Sequence, residues 1–260
     1  MTDSAAPHYP SVQAIGIVGL PEIEPGANLG RLIADAAARQ GTPLMHGDIL
    51  VVTQKIVSKA EDRVVALNSV EPSEFAAAYA AEAGRDPRLV ELVLRESAAV
   101  VRMDAERGVL ITETHHGFVC ANAGIDMSNV PDEDSACLLP VDPDESARRI
   151  RADIEARSGV APPIIISDTF GRAWRDGHVN FAIGIAGMDP MVDYRGTEDA
   201  HGRTMHVTTI AVADELAATA ELVTAKAINV PVALIRGLPY RAAASSTAPL
   251  LRERSRDMFR

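Results

Sequence analysis

The chain has 260 residues, with 36 acidic and 25 basic side chains and a formal net charge of −11. That length gives one large domain or two small ones, and the acidic balance excludes generic nucleic-acid binding, which needs Lys and Arg for phosphates. Two cysteines, Cys120 and Cys137, exclude a disulfide scaffold and fit a reducing, cytoplasmic setting. The longest apolar stretch, Thr208 to Ile235, is broken by Asp214, Glu215, Glu221 and Lys226, so no membrane span is expected. The N-terminus lacks a basic segment leading into an apolar run, and no signal peptide is read there.

Residues 1–10 are small and polar and are expected to be disordered. Ala14–Leu20 predicts a strand. Asn28 predicts a helix cap, followed by an apolar face of Leu29, Leu32, Ile33, Ala36 and Ala37 and a stop at Gly41. Ile49–Thr53 is a short buried strand and Arg63–Leu67 a second β candidate. Helices are predicted over Ser73–Ala83 and from Asp86-Pro87, the latter burying Leu89, Val90, Val93 and Leu94. Val100–Met103, Val109–Thr114 and Phe118–Ala121 form a meander. Asp142-Pro143 with Glu145 opens a helix that ends near Gly159. Pro163–Ser167 and Phe181–Ala186 are continuous apolar runs, as in strands buried on both faces. Val207–Ile210 leads into a helix from Ala211 to Lys226, and Pro231–Ile235 is the last strand. The elements alternate irregularly, which predicts an α+β fold.

No Walker loop, dinucleotide fingerprint, nucleophile elbow or zinc-binding helix motif is present. The first candidate site is Asp168-Thr169, a carboxylate and a hydroxyl delivered by a buried strand. Such oxygen donors suit Mg²⁺ or Mn²⁺ when phosphates supply the remaining ligands. A capped turn is the alternative. The stretch Phe170–His178 is read as a loop. Its Arg172 and Arg175 suit phosphate or carboxylate recognition, and Trp174 suits stacking or plain surface packing. Asp126 and Asn129, in the run Ala123–Asn129, are either a second cation and phosphate site or an Asx-rich turn. Lys55 and Lys59 follow the strand Ile49–Thr53, where a lysine meets a phosphate as a point charge or is simply solvated. His115-His116 is read as structural, because neighbours in a strand face opposite ways. Five arginines against Glu253 and Asp257 make residues 241–260 a basic tail, either a partner arm or a loosely docked terminus.

Five of these stretches, in order, resemble one family: Gly19–Ile23, Val51–Glu61, Ala123–Asn129, Ser167–Gly177 and Val212–Leu216. They are similar to the coenzyme F420-0:L-glutamate ligases, the CofE family, which includes the N-terminal ligase half of FbiB. The likeness spans roughly residues 12–237. It implies an α+β, CofE-like two-lobed fold with mixed β-sheets over residues 11–240, in an intertwined homodimer. It implies a GTP- and metal-dependent ligase that adds L-glutamate to F420-0 through an acyl phosphate, then further glutamates through γ-linkages. On the matching positions, Leu20, Pro21, Glu22, Ile23, Gln54, Lys59 and Asn129 would bind GTP, and Asp126, Asp168 and Thr169 would hold Mg²⁺ or Mn²⁺. Asp126, Asp168, Lys59 and Arg172 would be catalytic. Lys226 stands near a position where many members carry a Gln serving a second metal, so a fixed ammonium or K⁺ enters the reckoning there. No FMN is expected. The competing readings are a metal-dependent GTP hydrolase or phosphotransferase with another acceptor, and a nucleotide-binding scaffold without turnover.

Overall fold

A computed structural model of the chain describes residues 10–128, 132, 134–225 and 228–259. In chain order, β1 (Gln13–Ile17) is followed by α1 (Leu29–Arg39), β2 (Ile49–Thr53), α2 (Gln54–Ala60) and β3 (Val64–Ala66). The helices α3 (Glu74–Ala83) and α4 (Pro87–Arg95) precede β4 (Ser97–Asp104), β5 (Val109–Thr114), β6 (Val119–Ala121) and β7 (Ser135–Cys137). The remainder is α5 (Pro143–Ser158), β8 (Ile164–Arg172), β9 (Arg175–Ala186), β10 (Val192–Asp193), β11 (Thr209–Ile210), α6 (Val212–Thr224) and β12 (Val232–Arg236).

The central sheet has the order β1-β12-β2-β8-β9, antiparallel throughout except for the parallel pair β2–β8. Apolar side chains leave it on both faces. Leu50, Val52, Ile164, Ile166 and Leu234 pack with Ile33 of α1, Val57 of α2 and Ile154 of α5. Ile49, Val51, Ile165, Ala233 and Ile235 pack with Ala213, Leu216, Ala217 and Ala220 of α6. Burial on both faces explains why these strands read as unbroken apolar runs. On α1, Gly30 lets α5 approach closely, since a Cβ there would lie 2.4 Å from Cβ of Asp153. Apart from this sheet, β4-β5-β6 form an antiparallel meander against which α3 and α4 pack Tyr79, Ala80, Val90 and Val93 around Leu110. The β3–β7 pair sits over Leu67, Val70 and Leu92.

The predicted caps form at Asn28, Asp86 and Asp142, and Ser73, read as the first helical residue, is a cap as well; each accepts a hydrogen bond from a backbone amide of the first helical turn. Several expectations change. The first strand stops at Ile17, before Gly19 at φ 77°. The apolar face of α4 buries Leu92 with Val90 and Val93, leaving Leu89 and Leu94 half-buried, because the helix lies between two small clusters. His115 and His116 lie in the turn after β5, not in a strand. The Nε2 atoms of His115 and His116 meet backbone carbonyls of Arg95 and Pro140 at 2.9 Å.

The largest revision concerns Phe170–His178. This stretch is the outer half of a long hairpin, with β8 and β9 paired out to Arg172–Arg175. Trp174 stands at its tip, 76% exposed, edge-on to Phe259 with ring centroids 5.7 Å apart. The C-terminal segment is docked on the body. Backbone N and Oγ1 of Thr247 both donate to Asp144 at 3.2 Å, and Arg254 pairs with Glu113 at 2.7 Å. Leu250 and Leu251 pack against the two clusters that flank the central sheet. The disorder expected of residues 1–10 falls, except at Pro10, outside the described residues. Among the described residues no helix is long and apolar enough to cross a membrane.

Candidate active site

Strand directions place several chain ends at one edge of the central sheet. β2 runs parallel to β8, and β12 runs against both β1 and β2. The C-terminal ends of β1 and β2, the N-terminal end of β12 and the middle of β8 therefore converge. A cavity of about 630 Å³ opens there, a size suited to a nucleotide-like molecule.

The loop after β1 supplies Leu20, Pro21, Glu22 and Ile23 to the wall, with Ile23 anchored in the core. Helix α2 supplies Gln54 and Lys55 from its start and Lys59 from its last turn. Gln54 is only 2% exposed, and its Oε1 accepts from the Ser58 hydroxyl at 2.8 Å. Lys59 forms an ion pair with Glu22. Lys55 Nζ donates to Asp126 Oδ2 at 2.8 Å and to the Ser128 hydroxyl at 2.9 Å.

Asp126 is delivered by a tight turn. Asn122, Ala123 and Gly124 have φ of 53°, 53° and 71°, and the first two are costly left-handed positions for residues with a Cβ. Backbone bonds between Asp126 and Cys137, at 3.0 and 2.8 Å, then fix the carboxylate's position. Burial by itself raises the Asp126 carboxyl. The Lys55 ammonium and the Ser128 amide and hydroxyl outweigh it, holding the group below its ordinary value.

Asp168 and Thr169 both line the cavity from β8. Thr169 Oγ1 donates to Asn180 Oδ1 at 2.7 Å, and Asn180 Nδ2 donates to Glu221 Oε2 at 2.9 Å. Burial pushes the neighbouring Cys120 thiol up to about 12, with the Asp168 charge adding to the effect. Arg172 is not in the cavity wall. It sits at the hairpin tip, where Nη2 donates to the Asp176 carbonyl. The loop expected to present it is strand instead. Asn129 and Lys226 lie outside the described residues.

Reading the residues left Ser128, Ser167, Asn180 and Glu221 without roles, and gave Lys55 a phosphate or solvent where the structure gives it Asp126. The spacing of Lys55 and Lys59 was itself a signal, because residues four apart share a helix face. Asn180 and Glu221 become neighbours only once the β8–β9 register is known.

Four carboxylates, Glu22, Asp126, Asp168 and Glu221, face the cavity against two lysines among the described residues. An anionic ligand needs added cations in such a setting. Among the described residues no three His, Cys, Asp or Glu side chains gather as a closed metal site would require. The donors are nonetheless all oxygen, and the Ser167 hydroxyl in the same wall is buried with no partner among the described residues. Asp126, Asp168 and Thr169 fit Mg²⁺ or Mn²⁺, which take one or two protein carboxylates and complete their shell from phosphates and water.

Comparison with known proteins agrees with the motifs. The chain is 44% identical over 252 residues to a protein of Methanothermobacter thermautotrophicus, covering 96% of this chain and 99% of that one. It is 41% identical to one of Methanopyrus kandleri, covering 92% and 94%, and 38% identical to one of Methanocaldococcus jannaschii, covering 96% and 97%. Each of the three is named coenzyme F420:L-glutamate ligase. The profile of the F420-0:gamma-glutamyl ligases matches residues 17–237, and the chain belongs to that family.

Proposed function

We propose that this protein joins L-glutamate to coenzyme F420-0 with GTP as the energy source and Mg²⁺ or Mn²⁺ as the metal, then extends the product through γ-linkages. Near-full-length similarity to coenzyme F420:L-glutamate ligases supports the ligase activity. The observation that carries the nucleotide and metal part is the cavity itself, where lysines and oxygen donors face one another across a sheet edge.

Amide formation from a carboxylate at neutral pH needs an activated acyl group. In this reading the γ-phosphoryl of GTP moves to the F420-0 carboxylate, giving an acyl phosphate that the glutamate amine attacks. Phosphoryl transfer is mainly positioning and charge stabilisation. Leu20–Ile23 and Gln54 would seat the nucleotide, and Lys59 would exchange its contact with Glu22 for a phosphate oxygen. Lys55 keeps Asp126 ionised and in place. Asp126, Asp168 and Thr169 would hold the metal, which supplies charge neutralisation on the phosphate oxygens. The same resemblance supports two intertwined lobes and a homodimer, which sedimentation would reveal as twice the chain mass.

The test is GDP release in mixtures that omit F420-0, glutamate or the divalent ion in turn. Release that requires F420-0 and the metal supports the proposal. Equal release without F420-0 would favour a GTP hydrolase or a transferase with another acceptor.

A further inference from the structure

Side chains of β8 alternate across the central sheet, and the alternation divides the cavity. Ile164, Ile166 and Phe170 pack on the side of α2, whereas Ile165 packs beneath α6. Asp168 therefore shares a face with α2, and Ser167 and Thr169 share the other with α6. Both lysines of the cavity come from α2, and each already holds a carboxylate, Asp126 or Glu22.

The α6 side differs. Asn180, opposite Thr169 in the hairpin, is 4% exposed and uses both ends of its amide. A carboxylate only accepts, so the Asn180 NH₂ must face Glu221 and its carbonyl oxygen must face the Thr169 hydroxyl. Glu221 is thus fixed at the cavity wall by a neutral donor, with no Lys, Arg or His paired to it among the described residues. The buried Ser167 hydroxyl, without a partner among the described residues, lies on the same side. Of the three substrates in the proposed reaction, GTP and F420-0 bring phosphates and a carboxylate. Only the amino acid brings an ammonium.

The geometry points to Glu221, positioned by Asn180, as the residue that binds the ammonium of the incoming glutamate and takes its proton. This inference rests on the ligase reading. In the step, one N–H bond of the ammonium breaks and its proton passes to the Glu221 carboxylate. The freed lone pair attacks the acyl carbon. The C–N bond forms, the C–O bond to phosphate breaks, and a second proton from nitrogen leaves with the phosphate. Activation of the acceptor draws on Lys59, Asp126 and Asp168 of the α2 side and on Thr169, and takes no proton through Glu221.

Hydroxylamine separates the two halves, because it is already unprotonated at neutral pH and captures acyl phosphates without a base. In Glu221→Gln, which keeps an acceptor for Asn180, ligation is expected to fall by about 10²-fold or more with a raised KM for glutamate. Hydroxamate formation from F420-0, GTP and hydroxylamine is expected to stay within about threefold of wild type, since no proton need be removed. Mn²⁺ affinity, measured by titration without substrates, is expected to be unchanged, and Glu221→Asp should recover part of the ligation rate. Parallel loss of hydroxamate and ligation, or weakened Mn²⁺ binding, would overturn the assignment alone. A wild type that forms no hydroxamate would overturn the ligase reading and the assignment with it.

Discussion

Two carboxylates on the α2 side of the cavity invite direct tests. Lys55 and Ser128 hold the Asp126 carboxyl below its ordinary value although burial pushes the other way. Because the folded value is depressed, the contribution to stability is present above the unfolded pKa and is lost as pH falls through the folded one. Lys55→Met removes the ammonium and leaves the burial. The Asp126 pKa, followed by carboxyl NMR, should then rise; an unchanged titration would mean that Lys55 is not what holds it down. Asp168 needs its charge to recruit a cation. Asp168→Asn is expected to lower ligation by at least about 10²-fold with an unchanged unfolding midpoint, and near-normal activity at saturating Mn²⁺ would remove Asp168 from the metal site. The motif runs made Asp126, Asp168 and Lys59 legible in the sequence. Asn180 and Glu221 were not, because nothing local marks an Asn before an apolar run or a Glu near a helix end as sharing a wall.

At the scale of elements, α6 is tied to the central sheet partly by Asp214, whose Oδ1 accepts from the Ala182 amide of β9 at 2.9 Å. Burial raises this carboxyl above its ordinary 3.8, with the Ala182 amide opposing. The folded state therefore binds the proton more tightly than the unfolded one. Stability from this group falls as pH rises from the unfolded pKa through the folded one, then levels off. Asp214→Asn keeps an oxygen for the amide but cannot ionise. In urea unfolding at a series of pH values, the variant should gain on wild type across that window. Variant stability minus wild-type stability that stays constant or falls with rising pH would contradict the assignment. Caps and apolar periodicity made most helices and the buried strands readable. The hairpin was misread because Gly171, Gly177 and the charged residues around them look like loop composition. Cross-strand pairing overrides that composition. The short helix α2 was missed because Ile49–Lys59 reads as one continuous apolar-to-basic run, and the helix starts at Gln54 directly after the extended Thr53, with no turn between them.

Over the whole molecule, helices pack on both faces of one mixed sheet, and the C-terminal segment binds to both of the resulting cores. Of the two readings of its arginines, a partner arm or a loosely docked terminus, the second agrees with the docking by Thr247, Leu250, Leu251 and Arg254. A chain ending at Tyr240 is therefore expected to lose roughly 2 kcal/mol or more in urea unfolding, from the half-buried leucines alone. An unchanged midpoint would mean that the segment packs without stabilising the fold. The arrangement assigns α2 to the phosphate-bearing substrate and α6 to the amine, meeting at β8. Mass spectrometry of the deazaflavin after incubation with F420-0, L-glutamate, GTP and Mn²⁺ tests that account most directly. It should show products heavier by successive glutamyl residues, absent when any one component is withheld. Unmodified F420-0 alongside released GDP would contradict it.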